Sequence, residues 1–299
     1  MEASATAITR EKLSGNGPGY RRRRLVNRMM EFLSTFAAVL AVAVLLLVIV
    51  SVFIKGVSAL NLDFFTKEPA PFGETGGGIA NSIVGSAILI ALATLISVPI
   101  GILIGIYTVE FAPRRIAAPI QFCLDILNGV PTIITGIFIF GLLVVNHAQS
   151  GWAGAIALGI VELPIVARSA QEVLALVPRS LHEAALALGL RRWRLVTRIV
   201  LPTAAGGLIT GAVLGVARVA GETAPLLFTT SIFSNTGITT SPSQPLPNIP
   251  VTIFTLSESP SPSDHAQAWA AALVLVAFVL ILSVSARTFH ERSRRRLSG

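Results

Sequence analysis

The sequence predicts an all-α membrane protein with six transmembrane helices, and three observations carry that prediction. Only 13% of the residues are charged and the mean hydropathy is +0.75, whereas soluble domains carry about 25% charged residues. Six apolar segments, at about 31–54, 79–111, 119–145, 152–177, 203–230 and 266–288, each reach the roughly 20 residues that a membrane helix needs. The lysines and arginines concentrate in every second stretch flanking these segments, as the positive-inside rule requires.

Residues 1–30 read as a basic cytoplasmic tail, disordered through about residue 24 and ending in the run Arg21 to Arg24. That run suits a positive stop, or contact with anionic membrane lipid. The apolar run from Phe36 to Ile54 exceeds the ~7–15 residues of a signal-peptide core, and no small-residue cleavage site follows, so a retained first span is expected. Residues 31–288 form the membrane domain, and 289–299 a second basic cytoplasmic tail.

With the N-terminus inside, the cytoplasmic segments hold nineteen of the 23 lysines and arginines, and the outer segments hold only Lys55 and Lys67. Both termini are therefore expected in the cytoplasm of a prokaryotic cell, under the inner membrane. Outside, Gly76, Gly77 and Gly78 precede the second span. A longer loop, about 231–265, is rich in proline and has no lysine or arginine. Its NIPVTIF run suits a short ordered piece, and a loop of that length suits either flexibility or docking of an external partner.

Several chemistries are excluded. The three lysines, Lys12, Lys55 and Lys67, never follow a glycine, so a phosphate-binding loop for a nucleotide is absent. The four histidines and one cysteine are scattered, which gives no metal set. Cys123 reads as a small buried hydrophobe. No nucleophile constellation is present. The chain is expected to be non-catalytic, without a cofactor of its own and without a nucleic-acid partner.

The cytoplasmic loop at about 178–202 carries Glu183, Ala184 and Ala185, then Gly189 after three residues, and Ile199, Leu201 and Pro202 after nine more. Leu186, Leu190, Trp193 and Thr197 share one helical face. An amphipathic surface helix is expected, with a turn permitted at Gly189 and a fresh start at Pro202. Glu183 suits a helix N-terminus, and the small residues allow close approach. An interfacial helix whose arginines hold lipid phosphates is the plainer alternative.

Charges inside spans need a reason, because even the mildest scale sets the cost at ~2.5–3.5 kcal/mol each. Arg218 and Glu222 stand four apart in ARVAGETAPLLFT, and Arg168 precedes Glu172 in LPIVARSAQEVL. As in-helix pairs they would neutralise each other. As pathway groups, two guanidinium groups facing one cavity would favour an oxyanion, since their forked donors match its oxygens two at a time. Gly221, Thr223 and Pro225 loosen the helix beside Arg218, as expected where backbone borders a pathway.

The loop pattern E-A-A-x3-G-x9-I-x-L-P resembles the coupling loop of ABC importer permeases. The runs ARVAGETAPLLFT, GGGIANSIVGS, LNGVPTIITGIF and LPIVAR resemble the PstA family of phosphate importer permeases, over about residues 74–287. The resemblance implies the type I importer permease fold. It implies a PstC-like partner permease, a PstB-like ATPase dimer that binds ATP and magnesium, and a PstS-like external phosphate-binding protein. It assigns Glu183, Ala184, Ala185, Gly189, Leu201 and Pro202 to ATPase coupling, and Arg168, Arg218 and Glu222 to the substrate pathway. The expected function is inward phosphate transport driven by ATP. A permease for sulfate or molybdate would keep the loop but lack the ARVAGETAPLL run. An ATP-independent carrier would show inverted repeats, and none is evident. Glu162 departs from the family pattern: an apolar residue is expected beside Leu163 and Pro164, and six positions separate it from Arg168.

Overall fold

The computed structural model describes residues 18–70, 76–231 and 237–297. The described residues are helical apart from turns and one isolated bridge between Pro69 and Gly77. The chain divides into two units, residues 1–54 and 55–299. The first holds most of α1 (Pro18–Val57). Its apolar side chains, Phe36, Leu40 and Leu47 among them, are exposed, as befits a helix that is apolar all round. Arg21 to Arg24 lie within α1, so they are helical rather than part of a disordered tail. The rest of that expected tail, residues 1–17, lies outside the described residues.

The second unit contains α2 (Leu62–Thr66), α3 (Ala80–Ile106), α4 (Arg114–Gly129), α5 (Thr132–Ile139) and α6 (Gly151–Ala175). Then come α7 (Arg179–Ala187), α8 (Arg192–Leu195), α9 (Leu201–Val219), α10 (Ala224–Thr229), α11 (Ile249–Ser257) and α12 (Pro262–Leu297). Short π-helical turns extend α3 to Phe111 and α5 to Val144, and a third joins α8 to α9. The expected second basic tail continues α12 as helix to Leu297.

Five described helices are long and apolar enough to cross a membrane. The expected third span is instead a pair, α4 and α5 with its π turn, bent by 96°. Pro131 explains the break: it disfavours helix at Val130 and supplies no backbone donor. The fifth span also departs from expectation at its start. Pro202 does not interrupt it, because the helix runs from Arg192 to Val219 through the π turn Val196–Val200. At the other end the helix stops at Val219 and resumes at Ala224, across the Gly221–Thr223 stretch flagged in sequence.

The core is built on α6. A Cβ on Gly101 of α3 would lie 2.9 Å from the Val166 side chain, and one on Gly105 would lie 2.6 Å from Ala170. On the other flank, Gly207, Gly211 and Gly215 of α9 meet Val173, Ser169 and Val166 of α6 in turn. Small residues let the backbones approach, and packing substitutes for the hydrophobic drive that lipid does not provide. Leu89, Ala155, Leu158, Val219 and Leu226 form one buried cluster, closed by Leu246 and Val251. The NIPVTIF run is ordered as the start of α11: Asn248 Oδ1 accepts from the Val251 N–H, and Ser86 Oγ accepts from the Ile249 N–H at 2.8 Å. Residues 232–236 of that loop lie outside the described residues. Cys123 is exposed on α4, not buried as expected; it shares α4's open apolar face with Phe122 and Ile126.

Candidate anion pathway and coupling surface

Arg218 occupies the last turn of α9. A cation is favoured there by the helix dipole, by about 0.3–1 kcal/mol at exposed sites. Its guanidinium stands 3.9 Å from Glu222, with side-chain exposures of 60% for the arginine and 17% for the glutamate. At that distance the pair leaves most of the forked donor set open. Arg218 also lines a small recess of about 30 Å³ with Asn128, Thr132 and Thr135, walled by Val161 and Ile165 of α6. That volume suits a single water rather than a larger guest. In this conformation the site is a polar notch.

Arg168 is arranged differently. The in-helix pair with Glu172, one of the two alternatives open in the sequence, does not form. The guanidinium pairs with Asp125 of α4 and also donates to the Gln121 carbonyl oxygen and to Gln171 Oε1, each at 3.4 Å. Gln171 in turn donates to Thr108 Oγ1 at 2.9 Å, which anchors the group to the end of α3. Glu172 is exposed and makes no ion pair among the described residues. The cause is topological: α4 packs across α6 and brings a carboxylate 43 positions away in sequence within reach.

The glycine contacts fix the register between α6 and α9. Gly211 is level with Ser169, and Gly215 with Val166 and Glu162. Arg218 therefore stands level with about Val161, seven residues from Arg168 along α6. At 1.5 Å per residue the two arginines differ in depth by roughly 10 Å. Val161, Ile165 and Arg168 follow i, i+4, i+7 spacing on one face of α6, and α4 faces both arginines.

Glu162 is fully buried. Oε1 accepts from Thr94 Oγ1 at a long 3.5 Å, while Oε2 has no hydrogen-bond partner among the described residues. Its side chain fills the space left by Gly215. It points into the α3–α6–α9 seam, away from the recess beside Arg218.

The loop expected to meet an ATPase folds as two pieces. Helix α7 ends in a Schellman turn: Gly189 N–H bonds the Leu186 carbonyl and Leu190 N–H bonds the Ala185 carbonyl, at 2.9 and 3.1 Å. Gly189 takes φ +77°, a left-handed conformation that glycine adopts without strain. So the expected single amphipathic helix is two helices with a turn between. Ala185 packs inward with Ala170, Leu174, Val200 and Ala204. Glu183, Ala184 and Gly189 face out, beside Leu188, which is 83% exposed, and Trp193. Leu201 is half-buried and Pro202 exposed at the head of α9. One contact had no signal in the sequence. His182 Nε2 lies 3.2 Å from both oxygens of Glu110, in the π turn that ends the second span, and Nδ1 lies 3.2 Å from the Pro178 carbonyl. Every partner of the ring is an oxygen able to accept, so the contact clamps α7 to the end of α3.

Residues 97–299 match the family described as binding-protein-dependent transport system inner membrane component. The phosphate transport system permease protein PstA of Yersinia pestis is 42% identical over 240 residues, 80% of this chain and 81% of its own. A probable phosphate transport system permease protein PstA of Methanocaldococcus jannaschii is 37% identical over 239 residues, 80% of this chain and 84% of its own. Among solved structures, a chain of a bacterial alginate ABC transporter aligns with a TM-score of 0.62 at 15% identity, covering 90% of this chain and 98% of that one. A MetNI methionine ABC transporter chain aligns at 0.56 and 16% identity, covering 72% and 94%; at these identities the likeness is one of fold. The chain belongs to the inner-membrane components of binding-protein-dependent transport systems, in the branch that holds the PstA permeases.

Proposed function

We propose that this chain is a transmembrane permease subunit of an ATP-driven importer that carries inorganic phosphate across the cytoplasmic membrane, with both termini inside. The observation that carries the reading is Arg218, a guanidinium at the end of a broken membrane helix, loosely held by Glu222 and open beside a polar recess. A cation so placed would replace the hydration of an oxyanion with directed hydrogen bonds, and release it when the helices shift. Glu222 limits the cost of the unpaired charge while the path is empty. It also favours an anion that retains a proton, as phosphate does near neutral pH, because such an anion donates to the carboxylate and sulfate does not. Arg168 is the second pathway arginine.

The exposed α7–Gly189–α8 surface supports docking of a separate ATPase dimer, which would bind ATP and magnesium and perform the hydrolysis. A PstC-like permease would complete the membrane pathway, and a PstS-like binding protein would deliver phosphate from outside. Arg218→Gln should abolish uptake of radiolabelled phosphate while the chain still copurifies with the ATPase. Arg218→Lys should restore uptake only in part, since the fork is lost. Wild-type uptake by Arg218→Gln would leave the Arg218–Glu222 pair a structural one.

A further inference from the structure

The ion pair between Asp125 and Arg168 joins α4 to α6, a helix long and apolar enough to cross a membrane. Asp125 is 60% exposed and Arg168 31% exposed at their side chains. A charge in a span faces protein or a wet path rather than hydrocarbon. Gln121, Asp125 and Asn128 follow i, i+4, i+7 spacing on α4, and all three are exposed. Asn128 lines the recess of Arg218, whereas Asp125 covers Arg168. One stripe of α4 thus links the two arginines, which stand roughly 10 Å apart in depth along α6.

We propose that Asp125 is a gate on the anion path, holding the site of Arg168 with its own carboxylate until a travelling oxyanion takes its place; this rests on the phosphate reading given above. The chemistry is an exchange of like for like. A carboxylate and a phosphate present the same forked acceptor pair to a guanidinium. The arriving anion therefore does not meet a bare cation, and Arg168 is not left uncompensated when the anion departs. Gln121 and Gln171 hold the guanidinium in place through this exchange. A freed Asp125 repels a second anion while the first is bound, so one passes at a time. With the site empty, the pair closes again and blocks backflow.

The test uses the full chain copurified with its partner subunits and sealed into lipid vesicles loaded with inorganic phosphate. Phosphate efflux without ATP is measured. In Asp125→Asn the passive efflux should rise about tenfold over wild type, the effect of ~1.4 kcal/mol off a barrier. Asp125→Glu should keep efflux at the wild-type level, because the carboxylate remains. The exchange Asp125→Arg with Arg168→Asp should assemble normally and carry no phosphate, since the cation has moved to the wrong helix. Unchanged efflux in an Asp125→Asn complex that still imports phosphate with ATP would overturn the gate. So would an exchange variant that imports normally, or a failure of Asp125→Asn to assemble that the exchange repairs, either of which makes the pair a brace. A wild-type complex that imports no phosphate would overturn the substrate reading itself.

Discussion

Glu162 and Asp125 are both carboxylates inside a membrane domain, and their surroundings set them apart. Asp125 has a guanidinium partner and an open face. Glu162 has one long hydrogen bond, no exposure, and an oxygen without a partner among the described residues. A buried polar atom left unmatched costs about 1–3 kcal/mol. Glu162→Leu should therefore stabilise the folded chain by about that amount, a rise in Tm measurable on the purified complex, with phosphate uptake retained. A lower Tm would show that the seam needs the carboxylate. The sequence marked Glu162 as out of pattern, and the structure explains why no charged partner was visible: the groups beside it are the hydroxyls of Ser97 and Thr94 and the glycine at 215. For Arg168 the sequence left an in-helix pair with Glu172 and a pathway role both open, and the partner came from another helix. Spacing rules see along one helix, and tertiary pairs fall outside them.

At the scale of elements, the sequence located the helices well and their interruptions unevenly. The end of α9 was legible in Gly221, Thr223 and Pro225, each of which weakens helix. The bend at Val130–Pro131 carried the same kind of signal and was obscured by the apolar run on both sides. The opposite error occurred at Pro202, where a π turn absorbs the residue that lacks a donor. The turn between α7 and α8 depends on Gly189. A Cβ there would meet no neighbour within 4 Å, so its φ of +77° is the whole restraint. Gly189→Leu should cost roughly 1–2 kcal/mol in the turn. Because the position faces out of the loop, it should also weaken ATPase association in a pull-down. Gly189→Asn should keep most of the association, since asparagine tolerates that conformation. Equal binding by both variants would place the docking surface elsewhere.

At the scale of the whole molecule, the orientation rests on the distribution of charge along the chain. A cysteine at Ser243, which is exposed in the proline-rich loop, should react with an impermeant maleimide added from outside the cell. The background needs Cys123 replaced, because that thiol is itself exposed. Labelling from the cytoplasmic side alone would refute six spans with both ends inside. The bundle geometry adds a mechanical consequence. Ala185 is packed into the same cluster as Ala170 and Leu174, and His182 is clamped to Glu110. If an ATPase docks on this loop, as proposed above, a push on it is expected to reach α6 through that cluster and the end of α3 through the histidine. With a fulcrum near Ala175, the level of Arg168 lies roughly 10 Å out and the level of Arg218 roughly 20 Å out, at 1.5 Å per residue. A rigid tilt of α6 about that point would sweep the outer arginine's surroundings through twice the arc of the inner one's, a gearing set by seven residues of helix.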